Sequence, residues 1–378
     1  MNSNPTAPPP PKGTRITSID ALRGFDMFWI IGADGLVEAL QALSPNPAVG
    51  FVAKQLTHKT WEGFAFEDLI FPLFVFLAGV SLVFSLTKII ETEGRSAALQ
   101  RVFKRFLLLY VLGIFYYGGF ANLWPNIRLV GVLQRIALSY FFASLLFIYL
   151  PPKGLAAALT GLLLGYWALM ALVPVPGLGA GNYEEGKNLA NYIDLQCLPG
   201  RKWDGTHDPE GLLSTLPAIG TCLLGVFAGL LLRAKEIAAE KKVRILFAAG
   251  ILAVVIGFGW GIWFPVIKKI WTSSYVLVAG GYSALLLGTF YWLIDVKQWQ
   301  RWAQPFVWIG LNPLTIYLAE NMIPFGKWAQ RFVGGNIAAF LDHHVAQGLG
   351  ELGVALFALA LIWSLAYFLY SRKIFIRL

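Results

Sequence analysis

His58 is the residue around which this sequence arranges its chemistry. It sits in residues 55–80, QLTHKTWEGFAFEDLIFPLFVFLAGV, where a short polar segment runs without a break into an apolar stretch carrying Glu62, Glu67 and Asp68. An imidazole titrates near neutral pH, which suits it to proton transfer or to nucleophilic attack. A carboxylate beside it fixes the tautomer and raises the basicity of the ring. Carboxylates at the mouth of a membrane span are costly to bury and are functional candidates for that reason. The partner expected for His58 is Asp34, or else Glu62, with Asp68 held as a substrate contact.

Further ionisable residues lie inside apolar stretches. In residues 20–43, Arg23, Asp26, Asp34 and Glu38 fall within about a 120° stripe at helical spacing, so that face must turn toward protein or water and away from lipid. Arg23 has a structural alternative, a pair with Asp20 or Asp26, whereas Asp34 lies deeper and on the side of His58. Residues 126–140, NIRLVGVLQRIALSY, bring Arg128, Gln134 and Arg135. A buried arginine requires an anion, and both a helix carboxylate and the phosphate of a bound donor fit a planar guanidinium. Residues 309–321, IGLNPLTIYLAEN, place Asn312 before Pro313, where proline frees backbone groups that usually line a cavity.

Other chemistries find less support. His207, His343 and His344 share a side with His58, but adjacent histidines lack the i, i+4 spacing that sets two metal ligands on one helical face, so no metal is expected. No GxSxG marks a serine hydrolase. Cys197 and Cys222 have neither a disulfide framework nor CxxC spacing.

The elements that must hold these groups are membrane helices. The chain has 378 residues, 57% of them hydrophobic and 13% charged, with mean hydropathy +0.62, which is the composition of a polytopic integral membrane protein rather than of soluble domains. The net charge of +9 does not indicate nucleic acid, because the basic residues are dispersed through the loops. Stretches long enough to span fall at 20–43, 64–88, 102–123, 128–150, 155–174, 212–232, 244–263, 274–294, 304–323 and 350–371. The expected fold is therefore all-α: about ten transmembrane helices in one bundle over residues 15–378, after a disordered cytoplasmic tail at 1–14. Pro151 and Pro152 should make a tight hairpin between the fourth and fifth spans. Lys and Arg number 18 on one side and 10 on the other, which puts both termini in the cytoplasm and His58 outside. The long outward loop, 175–211, is rich in Gly, Asn, aromatic and acidic residues and reads equally as a sugar-binding surface or a solvated connector.

These pieces together resemble the transmembrane heparan-α-glucosaminide N-acetyltransferase family. The resemblance is carried by SIDALRGFDM at 18–27, HKTWEG and DLIFPLFVFLAG within 58–79, IRLVGVLQRIALSYF at 127–141, PVPG at 174–177, DPEG at 208–211, WTSSYV at 271–276 and GLNPLTIYL at 310–318. They occur in one order over nearly the whole chain. SIDALRG alone is weaker, because the family that O-acetylates surface polysaccharides opens similarly. The resemblance implies transfer of acetyl from cytoplasmic acetyl-CoA to the amino group of a glucosamine across the membrane. It places the family's essential histidine at His58, and at Asp34 a polar position that is asparagine in the animal enzyme. Ten spans are expected here against eleven in that enzyme.

On this reading the donor nucleotide sits near Arg101, Lys104, Arg105, Arg233 and Lys241, its pantetheine arm threads between helices toward His58 and Asp34, Arg135 is a donor contact, and Asn312, Gln134 or a backbone N–H is the oxyanion donor. Acceptor contacts are expected from Asp208, Glu210, Glu62, Asp68 and Arg128. His58 either removes the amine proton or carries the acetyl group itself. Donor, amino-sugar acceptor and lipid are the expected partners, a homodimer stays open, and the bacterial inner membrane is the expected location. A secondary transporter of a sugar or anion, and an O-acetyltransferase, are the alternatives.

Overall fold

A computed structural model describes residues 16–43 and 47–376, apart from the side chains of Ala33, Asp34, Glu38, Ala42 and Leu43. The tail expected at 1–14 lies outside the described residues. The described residues form fourteen α-helices: α1 (Thr17–Leu43), α2 (Pro47–Gln55), α3 (Glu67–Tyr116), α4 (Val132–Tyr149), α5 (Pro152–Leu172), α6 (Leu189–Cys197), α7 (Thr215–Arg233), α8 (Ala239–Trp260), α9 (Ser273–Phe290), α10 (Gln304–Gly310), α11 (Pro313–Met322), α12 (Phe325–Val333), α13 (Asn336–His344) and α14 (Leu349–Ser371). Extended pairing among the described residues is limited to the isolated bridges Glu62–Ile267 and Val175–Gly179.

Seven described helices are long and apolar enough to cross a membrane: α3, α4, α5, α7, α8, α9 with its continuation to Val296, and α14. Seven such helices neither confirm nor exclude the expected ten spans, and three local features account for the difference in count. α1 has 27 residues, but its ionisable residues set it apart from the seven. The second and third expected spans are one 50-residue element, α3, interrupted at Gly94, whose φ of 87° is left-handed backbone that suits glycine. A straight helix of that length would measure ~75 Å. Yet Glu67 at its start and Tyr117 just past its end line the same cavity, so the two arms fold back on each other at Gly94. The ninth expected span is cut into α10 and α11 at Leu311–Asn312, before Pro313, which cannot continue the preceding ladder of hydrogen bonds.

Burial divides the spans into an inner and an outer set. In α3, α4, α7 and α9, 56–67% of the apolar window is buried, against 22% in α5, α8 and α14. The outer helices are apolar all round and present Leu169, Val255, Ile256, Leu356 and Phe368 outward, as helices facing lipid do. Inner helices approach closely through small residues. A Cβ on Gly79 would lie 2.0 Å from the Cys222 carbonyl oxygen, and one on Gly225 only 1.9 Å from that of Phe76, so α3 and α7 touch backbone to backbone at a reciprocal pair of glycines.

The hairpin at Pro151–Pro152 joins α4 to α5 as expected, with Pro152 in the first turn, where its missing N–H costs nothing. α1 is fixed at its N-terminus by Asp295, which accepts from the Thr17 and Ser18 N–H groups at 3.1 and 3.0 Å. Arg23 pairs with Asp20 at 3.2 Å and also donates to Ser81 on α3, the structural alternative raised for it above.

Candidate active site

A cavity of about 480 Å³ opens where the 56–66 segment, the 261–272 turn and the 203–210 loop meet. It is lined by the apolar residues Met27, Ile30, Ile70, Phe71, Phe74, Leu133, Ile136 and Leu314 and by the polar groups His58, Glu67, Arg128, Glu210, Lys268 and Lys269. Such a volume, mostly apolar with a few convergent polar groups, is that of a small-molecule site.

Backbone pairing builds the first wall. The Gly63 N–H donates to the Val266 carbonyl at 2.9 Å beside the Glu62–Ile267 bridge, which sets the 261–272 turn against the 56–66 segment. Thr272 pins that turn by accepting from the Ile267 N–H at 3.1 Å and donating to the Pro265 carbonyl at 2.8 Å. Asp68, in the first turn of α3 and fully buried, is held by the N–H groups of Ala65 (3.1 Å) and Lys59 (3.3 Å) on its Oδ2. Its Oδ1 lies 3.2 Å from His58 Nδ1, and its own backbone carbonyl accepts from the Tyr275 hydroxyl at 2.7 Å. The half-exposed His58 ring is thereby backed by a rigid carboxylate, the arrangement that leaves Nε2 as the basic nitrogen when Nδ1 carries the proton.

Arg128 organises the opposite wall. Its Nε and Nη2 grip Asp208 at 2.9 and 2.6 Å, and Nη2 also meets Glu210 at 2.6 Å. The guanidinium lies between the rings of Tyr117 (4.4 Å) and Trp203 (4.8 Å). Burial alone would lower the basicity of Arg128, but Asp208 and Glu210 hold it above the ordinary arginine range. Two carboxylates share one cation, and Asp208 has the bidentate position. Burial together with Asp208 then pushes Glu210 up to about 7, against the pull of Arg128. Asp194 of α6 supports the loop from behind, accepting from the N–H groups of Leu212 (2.8 Å) and Asp208 (3.3 Å).

Glu185, Asp204 and His207 bring metal-ligand atoms within 4.8 Å of one another. Lys269 already lies there, its ammonium 2.8 Å from Glu185 and 3.0 Å from Asp204, so those carboxylates are neutralised by a side chain.

A family model described as "Heparan-alpha-glucosaminide N-acetyltransferase, catalytic" matches residues 15–264. The chain belongs to this family. Among curated proteins it is similar to the human heparan-alpha-glucosaminide N-acetyltransferase, 29% identical over 385 aligned positions that cover 84% of this chain and 55% of the relative, and to the mouse protein, 28% identical with 84% and 56% covered. The chain thus spans about half the length of the curated relatives it matches. It is an acetyltransferase-family integral membrane protein.

Within this fold the structure redistributes the residues singled out from sequence. His58, Glu210 and Arg128 line one cavity, with Asp68 and Asp208 directly behind them. Of the carboxylates weighed as partner of His58, Asp34 and Glu62, the second does not meet the ring: Glu62 is exposed and lines a second recess with Trp61 and Tyr183, and the described carboxylate against His58 is Asp68. The Asp34 side chain lies outside the described residues.

The five residues expected at the donor do not line the cavity. Arg135, buried under Trp271, donates to the carbonyls of Pro209, Gly211 and Ser214 and to Ser214 Oγ (2.7 Å), so its guanidinium is met by a cradle of neutral loop oxygens rather than by an anion. Gln134 is buried against Gly113, and Arg105 stacks on Tyr140 at 4.5 Å. Arg101 is exposed on the second arm of α3. Asn312 bonds the C-terminal segment through both ends of its amide, to the Ile374 carbonyl and the Ile376 N–H at 2.9 Å each, away from His58. The sequence reading missed Lys268, Lys269, Tyr117, Trp203 and Asp194. Only Lys268 and Lys269 left a signal, two adjacent lysines separated by Ile270 from the WTSSYV stretch that leads into a span.

Proposed function

We propose that the protein transfers acetyl from acetyl-CoA to the amino group of a glucosamine-type sugar, with His58 and Asp68 as the catalytic pair. The observation that carries this reading is the His58–Asp68 contact beside a cavity whose lining is mostly apolar with a few charged groups. The apolar lining suits a pantetheine arm, which has no charge to satisfy, while the charged groups suit a polar acceptor. Charge counting supports the nucleotide on the cytoplasmic side, near Arg101, Lys104 and Lys241, and the acceptor outside.

The chemistry follows from the atoms present. Nδ1–H donates to Asp68, which leaves the lone pair of Nε2 facing the cavity. Nε2 accepts the proton of the acceptor amine as its nitrogen attacks the thioester carbonyl. Asp68 holds the ring in that tautomer and stabilises the imidazolium that forms. Glu210, with Arg128 behind it, offers an acceptor to the sugar's hydroxyls or ammonium.

The test is purified full-length protein in nanodiscs, supplied with acetyl-CoA labelled on the acetyl group, with and without glucosamine, comparing wild type with His58→Ala. Label in N-acetylglucosamine, lost in the variant, is expected. No transfer to any amino sugar, together with no binding of acetyl-CoA, would overturn the reading in favour of transport, and an alkali-labile product would point to ester formation.

A further inference from the structure

Lys268 stands closer to the reacting histidine than any residue expected to stabilise charge. Its Nζ lies 3.0 Å from His58 Nδ1, 3.4 Å from Nε2 and 3.6 Å from Asp68 Oδ1, and the side chain lines the cavity. When the proton on Nδ1 belongs to the bond with Asp68, the ammonium cannot donate to that nitrogen. Its donors are then left for Asp68 and for whatever group stands at Nε2. A carbonyl attacked at that edge of the ring places its oxygen roughly 3 Å from such an ammonium, the separation required of an oxyanion donor.

Elimination leads to the same residue. Of the described cations lining the cavity, Arg128 is gripped by Asp208 and Glu210, and Lys269 by Glu185 and Asp204. Lys59 is largely exposed. Neither amide expected as an oxyanion donor reaches the site, since Asn312 holds the C-terminal segment and Gln134 packs on Gly113. Burial pulls Lys268 below the ordinary lysine range, which strengthens it as a donor, while the charges of Asp68, Glu67 and Glu210 favour its charged form.

Resting on the acetyl-transfer reading above, we propose that Lys268 is a catalytic residue whose ammonium holds the oxyanion that develops on the thioester carbonyl. In the step, the amine nitrogen bonds to the carbonyl carbon, the C=O electron pair moves to oxygen beside Lys268, and the amine proton passes to His58 Nε2. On collapse the C=O bond re-forms, the C–S bond breaks, and the proton on His58 goes to the departing thiolate. An amide and a free thiol leave, and His58 and Lys268 return to their starting states.

The experiment uses the full chain in nanodiscs, measuring N-acetylglucosamine formation and acetyl-CoA binding for wild type, Lys268→Met, and Lys268→Cys before and after alkylation with 2-bromoethylamine. Cys197, the exposed cysteine, is replaced by serine in all of them. Lys268→Met is expected to lose a factor of ~10²–10³ in kcat, with acetyl-CoA binding within threefold of wild type. Aminoethylation, which restores an ammonium at nearly the native length, is expected to recover kcat at least tenfold, a rescue that a merely structural lysine would not give. A kcat for Lys268→Met within threefold of an active wild type would overturn this role and leave the transferase reading standing. So would an aminoethylated variant that is folded, binds acetyl-CoA and recovers nothing. A wild type that transfers no acetyl would overturn both.

Discussion

Asp68→Asn is the substitution that most directly interrogates the site. Asp68 is fully buried, with Oδ2 facing the N–H groups of Ala65 and Lys59 and Oδ1 facing His58 Nδ1 at 3.2 Å. Asparagine has the same shape, and its carbonyl oxygen must take the place of Oδ2 to satisfy those two donors. Its NH2 group then points at His58 and cannot accept a hydrogen bond. Nδ1 must become the acceptor, the ring proton moves to Nε2, and the lone pair facing the cavity is lost. The fold keeps its hydrogen bonds while the base is set in the wrong tautomer. Comparable carboxylate-to-amide changes behind a catalytic histidine reduce kcat by ~10⁴, and a loss of ~10³–10⁴ is ~4–5.5 kcal/mol of transition-state stabilisation. Steady-state N-acetylglucosamine formation reports it, with a thermal midpoint within a few degrees of wild type. Because the two residues act as a unit, His58→Ala/Asp68→Asn should be no slower than His58→Ala alone, within threefold. A kcat within tenfold of wild type for Asp68→Asn, or losses that multiply in the double variant, would refute the reasoning.

Two further outcomes follow from the opposite wall. Arg128→Met leaves Asp208 and Glu210 buried without their cation, a loss of ~3–5 kcal/mol of stability, seen as a large fall in the thermal midpoint in nanodiscs, whereas an unchanged midpoint would show that the cluster tolerates its absence. Glu210, raised to about 7 in the folded protein from an ordinary 4.5, binds more protons folded than unfolded between those values. Stability must therefore fall as pH rises through that window, by at most ~3 kcal/mol, and Glu210→Gln should flatten the dependence. Parallel stability curves from pH 4.5 to 8 for wild type and Glu210→Gln would disprove it.

The features legible in the amino-acid order are those that contiguous residues determine. Embedding in a membrane follows from runs of apolar side chains, the α4–α5 hairpin from Pro151 and Pro152, and the position of His58 from a polar segment running into α3. The reversal between the second and third expected spans was legible in the charged stretch between them, but its position was not, because the turn is a single residue, Gly94, with left-handed backbone inside one continuous helical run. Partners were decided only in three dimensions. Asp34 or Glu62 was the expected partner of His58 and Asp68 a substrate contact, yet the fold of the 56–66 segment over the start of α3 sets Asp68, not Glu62, against the ring. Lys268 reaches His58 across 210 residues of sequence. Arg135 and Asn312 carry the side chains of a binding site, but the loops that fold over them supply backbone partners and leave them structural. Helical period and hydropathy are local sums over neighbouring residues, whereas a hydrogen bond between distant loops depends on where tertiary packing brings their backbones, and the composition of the site is settled by that packing.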